Sequence, residues 1–208
     1  MKEYLRKKGI DERSAMLIAG IVATVLAGIL IAVGRSLGAE FSKPVVELTL
    51  FAILVFYFPE RDRKSWGISS LFLSLMIGIF LGLTWIVLFG YPKLDSTEFR
   101  SLADFSFSTL LYGFSASFIT APLFEEKVVR HLLLEGLGKL HAIVASLLVS
   151  CVFALVHVGS VIWAFLASML LCFSALCLKM TSAQRAISHG VCNLLIAAWY
   201  YTNAYGIR

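Results

Sequence analysis

Residues 124–131 read FEEKVVRH, directly after the uncharged stretch LLYGFSASFITAPLF. Two adjacent carboxylates, an arginine and a histidine at the end of such a run invite chemistry. Glu126 and Arg130 are four residues apart. On a helix they share a face and can pair, with the acid on the favourable N-terminal side. Glu125 is turned by about 100° from Glu126 at 3.6 residues per turn, so it needs another partner. Two more clusters obey helical spacing: Phe153 and His157 in FALVH, and His189 and Asn193 in SHGVCN, each four apart. Ionisable groups inside apolar spans are costly and are candidate functional groups by default. A carboxylate, two imidazoles and an amide on three segments suit hydrolysis by water. The carboxylate or a histidine takes the proton from water, while an imidazole and an amide donate to the developing oxyanion.

Each cluster also has a plainer reading. EEKVVR could be a solvated helix end, where Lys127 and His131 would fit. His157 could be a structural hydrogen-bonder, and His189 with Asn193 an interhelical pair that glues a bundle. Other hydrolase designs are missing from the sequence. There is no H-E-x-x-H zinc helix and no G-x-S-x-G elbow. Asp11, Asp62, Asp95 and Asp104 fall in loops or at edges, so no aspartate pair lies within a span. Cys151, Cys172, Cys177 and Cys192 lie in apolar runs without C-x-x-C spacing and read as small packing residues.

The elements that must position these residues are membrane helices. The 208-residue chain is 59% hydrophobic and 15% charged, against about 25% charged residues in soluble domains. Several apolar runs approach the ~20 residues that cross a bilayer. The expected fold is an all-α, polytopic bundle of about seven spans, near 15–34, 44–58, 69–90, 106–126, 141–157, 160–178 and 185–202. It forms one domain over residues 1–208, with N-terminal spans in 1–104 and motif-bearing helices in 105–202. The apolar pattern resumes after Arg130, so the fourth helix could run on and place Glu125 within the bilayer. The stretch 141–178 is split at HVGS on the strength of Gly159. The first apolar run is too long for a signal peptide and reads as a retained span.

A net charge of +5 and a pI near 9.1 do not point to nucleic acid, since no basic stripe is interleaved with aromatics. Thirteen basic residues fall on the side of the N-terminus (Lys2, Arg6, Lys7, Lys8, Arg13, Arg61, Arg63, Lys64, Lys127, Arg130, Lys139, Lys179, Arg185). Five fall on the other (Arg35, Lys43, Lys93, Arg100, Arg208). The bias predicts a cytoplasmic N-terminus. Gly78 with Gly82, and Ala19, Ala23 and Ala27, are small-residue rows for close helix packing. Glu47, three after Pro44, reads as a first-turn acid near the interface.

Three motifs in this order, Glu125-Glu126-x-x-x-Arg130, Phe153-x-x-x-His157 and His189-x-x-x-Asn193, resemble the CAAX protease and bacteriocin-processing family. This family includes the Ras-converting prenyl-protein endopeptidases. The resemblance covers about residues 106–202 and implies an intramembrane endopeptidase in the cell membrane. By that likeness, Glu125 and His157 activate water, and His189 and Asn193 stabilise the oxyanion. Glu126 and Arg130 position the site or bind a substrate carboxylate, and Phe153 packs beside His157. Val129 and His131 flank Arg130 where many relatives have an aromatic and a glycine. The partners implied are the lipid bilayer and a peptide or protein substrate, with no nucleic acid. No cofactor is favoured, because the carboxylate and histidines lack a compact metal motif; a zinc enzyme would use Glu125, His157 and His189. The short loops point weakly to a prokaryotic source. A non-catalytic scaffold, chaperone or immunity protein, and a proton-coupled transporter, are the competing readings. The span limits raise one conflict: they set His189 near the cytoplasmic side and His157 near the outer side. They can meet only where HVGS lies deeper than these limits draw it, or where the helix from 141 is tilted or extended; if the family reading holds, the split near 158 comes several residues too early.

Overall fold

The structure is a computed structural model that describes Gly9 and residues 11–60, 66–90 and 105–203. Among these are seven helices and no strand: α1 (Glu12–Ser36), α2 (Ser42–Tyr57), α3 (Ile68–Trp85, continued by a π turn Ile86–Gly90), α4 (Phe107–Gly136), α5 (Ala142–Leu155), α6 (Val161–Leu176) and α7 (Ser182–Asn203). The fold is an all-α membrane bundle, and the chain is an integral membrane protein. Helices α1, α3 and α4 are each long and apolar enough to cross a bilayer. Of the orientation residues, Lys2, Arg6, Lys7, Lys8, Arg61, Arg63, Lys64, Lys93, Arg100 and Arg208 lie outside the described residues, as do Asp62, Asp95 and Asp104.

The surface and interior are inverted relative to a soluble protein. Ile18, Val22, Val25 and Ile29 of α1 face outward, whereas Glu126, Arg130, Gln184, Arg185 and Ser188 are fully buried. Small residues set the helix contacts. A Cβ on Gly78 would meet the Ser188 carbonyl at 2.5 Å, and one on Gly82 would meet Leu195 Cβ at 2.8 Å. The G-x-x-x-G of α3 is therefore the seat of α7. Ala23 and Ala27 of α1 pack with Leu50 and Leu54 of α2 and with Phe124 and Val128 of α4. Cys172 and Cys192 are buried, but Cys151 and Cys177 are exposed, so only the first two pack in the interior.

One end of the bundle is tied by long-range polar contacts. Lys139 pairs with Asp11 at 3.1 Å, and Arg13 donates to the Gly138 carbonyl at 2.8 Å. Glu60 accepts from the Ser182 amide at 2.8 Å. Lys127 donates to the Phe58 carbonyl at 2.6 Å. Lys127 and His131 are thus buried inside this end of the bundle, and the solvated reading of the α4 end does not hold. Removing Lys127, Arg130 and Arg185 from the loop residues leaves ten basic residues against five.

The split within 141–178 falls where expected, and α5 ends at Leu155. The conflict between His157 and His189 is resolved by a deeper turn and not by a later split. With 14 and 16 residues, α5 and α6 are only about 21–24 Å long, short of the ~30 Å hydrocarbon core. Their turn lies at the level of the site instead of at the far surface. The exposed Leu155, Val156 and Ile162 around it are side chains suited to lipid and not to water.

Candidate active site

Helix α4 is irregular where the site forms. Its backbone is α over Phe107–Phe114, π over Ser115–Thr120, α over Ala121–Glu125 and π again over Glu126–Leu133. Such widened turns recur at functional sites. The first has a local cause and consequence. The Ala121 amide bonds the Ala116 carbonyl, five residues back. The next amide in that pattern would serve Ser117, but residue 122 is proline and has no N–H. The orphaned Ser117 carbonyl accepts from Asn193 Nδ2 at 2.9 Å. Gly190 makes this reach feasible, since a Cβ there would lie 2.4 Å from the Phe118 carbonyl oxygen. Pro122, Gly190 and Asn193 together dock α7 onto the break in α4.

The second widened turn carries the two glutamates. Glu126 is fully buried and takes Arg130 Nη1 on Oε1 at 2.9 Å. Arg185 Nε reaches its Oε2 at 3.3 Å. His189 Nδ1 stands 3.2 Å from Oε1. The pair four apart on α4 is present, with a second arginine that the spacing did not suggest. Arg130 also donates to Ser168 Oγ at 2.7 Å and lies over the Phe153 ring at 4.5 Å. Arg185 also bonds the Met180 carbonyl and Ser182 Oγ. Both guanidiniums are thus committed inside the protein. Arg130 is fully buried and not exposed to the cavity.

Arg185 counts among the basic residues on the side of the N-terminus, yet a local signal places it inside a helix. Thr181 and Gln184 form a capping box, with Thr181 N to Gln184 Oε1 at 2.9 Å and Gln184 N to Thr181 Oγ1 at 3.2 Å. That T-x-x-Q pattern marks a helix start before Arg185 and puts Arg185 four residues from His189 on one face.

Glu125 points elsewhere. Its side chain is a quarter exposed, and Oε2 faces His189 Nε2 at 3.9 Å, too far for a hydrogen bond. His157 stacks on Phe153 with ring centroids 4.3 Å apart, and Phe153 meets the His189 ring at 6.1 Å. His157 Nδ1 lies 2.7 Å from the Phe153 carbonyl. A carbonyl only accepts, so Nδ1 carries the hydrogen and neutral His157 presents an Nε2 lone pair. A cavity of about 470 Å³ is lined by Glu125, His157, His189 and Asn193 together, with Ser117, Phe153 and Trp163 among its other walls. Among the described residues no three His, Cys, Asp or Glu side chains, including the trio Glu125, His157 and His189, gather closely enough to hold a metal ion.

Glu47 departs from its expected place. It is not a first-turn acid at the interface but is buried in the bundle, accepting from Thr120 Oγ1 of α4 at 2.8 Å.

Residues 107–195 match the family model described as Type II CAAX prenyl endopeptidase Rce1-like. The matched segment begins with α4 and ends two residues past Asn193, so it holds all three motifs. No curated protein and no solved structure matches the chain.

Proposed function

Taking as premise a membrane-embedded chain whose segment 107–195 is that of the Rce1-like branch of the CAAX protease and bacteriocin-processing family, hence a CAAX-type intramembrane protease at family level, we propose a glutamate-type endopeptidase. The reading is carried by one observation: Glu125, His157, His189 and Asn193, from two helices and a turn, line one cavity. Glu125 takes a proton from a water that His157 Nε2 orients. The resulting hydroxide attacks the peptide carbonyl, and the oxyanion is held by His189 and Asn193. Glu125 then returns the proton to the departing amine, which completes hydrolysis. Glu126 accepts the Nδ1 hydrogen of His189; to donate to the oxyanion from Nε2 the ring carries both hydrogens, with Nδ1 on Glu126 and Nε2 turned to the reacting centre. Asn193 spends one amide hydrogen on Ser117 and keeps the other. The basic residues around the described end of the bundle suggest a cytoplasmic N-terminus.

The test is Glu125→Gln in purified, detergent-solubilised protein, with a pool of fluorogenic apolar peptides. Losing a general base lowers turnover on the order of 10²–10⁴, with little change in thermal unfolding because Glu125 is a quarter exposed and lies 3.9 Å from His189 Nε2, beyond hydrogen-bond distance. Full activity in Glu125→Gln would refute the assignment. Wild-type activity that survives exhaustive chelation would favour the metal-free mechanism, and its loss, restored by zinc alone, would favour the metal one. A folded wild type that cleaves nothing would return the chain to the scaffold reading.

A further inference from the structure

The segment Phe58-Pro59-Glu60 lies just past α2 and outside the matched stretch 107–195. It is seated on α4. Lys127 Nζ donates to the Phe58 carbonyl at 2.6 Å and stands 3.4 Å from Glu60 Oε1. His131 Nε2 lies 3.1 Å from the same carbonyl. Pro59 restricts the backbone between the two groups. Glu60 is thereby held with its side chain only 10% exposed, and it turns both oxygens to the first residue of α7. Oε2 accepts from the Ser182 amide at 2.8 Å, and Oε1 accepts from Ser182 Oγ. The amide of a helix's first residue has no partner within the helix, and an acid at that end is favoured by the helix dipole. Thr181 and Gln184 cap α7 locally, and Glu60 caps it from 122 positions away.

Ser182 stands at the head of a stripe. Arg185 follows it by three residues, and His189 and Asn193 follow by further steps of four, so all four share one face of α7. Arg185 Nη2 donates to Ser182 Oγ at 3.4 Å, and its Nε reaches Glu126 Oε2 at 3.3 Å. Glu126 Oε1 in turn accepts from His189 Nδ1 at 3.2 Å. A continuous chain of contacts therefore runs from Glu60 through Ser182, Arg185 and Glu126 to the imidazole at the cavity. The buried Arg185 guanidinium is attracted by both Glu126 and Glu60. Without Glu60 it leans on Glu126 alone, and the carboxylate that aims His189 moves with it. We propose that Glu60 is a positioning residue for peptide hydrolysis: by holding Ser182 and Arg185 it sets α7 so that Glu126 presents His189 to the cavity. This rests on the proteolytic reading of the cavity. Glu60 is not among the residues lining the cavity, so it acts on turnover and not on substrate binding, and it takes no part in proton transfer.

The test measures kcat and KM for a pool of fluorogenic apolar peptides in lipid nanodiscs, below the thermal transition of every protein compared. Hydrogen exchange of the α1 and α7 amides is followed on the same samples. Wild type is set beside Glu60→Gln, Ser182→Ala, the double variant and Asp11→Asn. Asp11→Asn weakens the α1 cap at Ser14 and the tie to Lys139 at the same end of the bundle, and so reports a loss of stability alone. Displacing a reacting group by about 1 Å can cost about a hundredfold in rate. Glu60→Gln should lower kcat on the order of tenfold to a hundredfold with KM unchanged, and exchange should quicken in the first turns of α7. The double variant should be no worse than Glu60→Gln, because both residues act through one chain of contacts. Asp11→Asn should unfold at lower temperature with kcat unchanged. Where Glu60→Gln does not fold, Ser182→Ala decides: a lowered kcat at unchanged KM supports the proposal, and a wild-type kcat overturns it. Full kcat in a folded Glu60→Gln, a kcat loss that Asp11→Asn matches, or additive losses in the double variant also overturn it. Exchange separates this from the proteolytic reading. If wild type cleaves no peptide, that reading fails, and exchange alone judges Glu60: faster exchange in α7 with α1 unchanged keeps it as the residue that sets α7, and unchanged exchange rejects it. Cleavage that Glu125→Gln abolishes and Glu60→Gln leaves intact keeps the protease and rejects the role of Glu60.

Discussion

Two guanidiniums share one carboxylate in the dry centre of the bundle, and this asymmetry predicts an order of damage. Arg130→Met removes a charge-assisted bond to Glu126 worth about 1.5–3 kcal/mol and a Ser168 bond worth about 1 kcal/mol. It also removes a cation–π contact with Phe153 worth about 0.5–2 kcal/mol. Part of this is regained, because methionine fills the space without a desolvation cost. Arg185 then pairs with Glu126 one to one, through the 3.3 Å contact already present. The net cost is about 2–4 kcal/mol. Glu126→Gln is the harsher change. It is close to isosteric, but it removes the carboxylate that both guanidiniums contact, leaving Arg185 only the more distant charge of Glu60. Breaking a buried pair from one side costs about 3–5 kcal/mol, and here one substitution breaks two pairs. Thermal unfolding in detergent, followed by tryptophan fluorescence, reads both. A chain of this size loses about 2–4 °C in Tm per kcal/mol, which gives roughly 4–16 °C for Arg130→Met and a larger drop for Glu126→Gln. A Glu126→Gln protein as stable as wild type, or more stable than Arg130→Met, would refute the idea that charge balance around Glu126 holds the site together.

Asn193→Ala should lower turnover on the order of 10²–10³ and cost about 1–3 kcal/mol by leaving the Ser117 carbonyl unpaired. Peptide cleavage and thermal unfolding on the same sample check both, and a loss of stability with full activity would confine Asn193 to docking α7. Gly190→Ala places a methyl 2.4 Å from the Phe118 carbonyl; it should push α7 off α4, cost about 1–3 kcal/mol and lower turnover, whereas unchanged Tm would contradict the close approach. Stability should also fall in acid through Glu60, at the tied end of the bundle. Burial pushes its carboxyl up, but the Ser182 bonds and the charges of His131, Lys127 and Arg185 outweigh this and hold it below its ordinary value of 4.5. A depressed folded pKa gives stability that is present above the unfolded value and lost as pH falls through the folded one. Unfolding midpoints measured from pH 6 downward should therefore drop below about pH 4.5, and Glu60→Gln should flatten that slope; an unaltered slope would remove Glu60 from the account.

The amino-acid sequence by itself determined the class of protein and the local geometry of its motifs. Apolar runs near the length of a bilayer crossing can be buried only in lipid, and the helix limits at α2, α3, α5 and α6 fall within a few residues of the hydropathy pattern. Spacing of four fixes Glu126 with Arg130 on one face, because helical periodicity acts within a single turn and needs no partner. Tertiary structure alone decided how these faces meet. Arg185 joins Glu126 across 59 positions, and Glu60 reaches Ser182 across 122. Lys127 and Arg185 look like loop charges in the sequence, since hydropathy cannot separate a cation facing water from one paired inside a bundle. The depth of His157 follows from α5 and α6 being shorter than the membrane is thick. Asn193 has its partner because Pro122 leaves a carbonyl open on a different helix. Glu47 reads as an interfacial acid until α4 brings Thr120 beside it. In each case the deciding energy belongs to a pair of groups far apart in the chain, and only packing determines which of them touch.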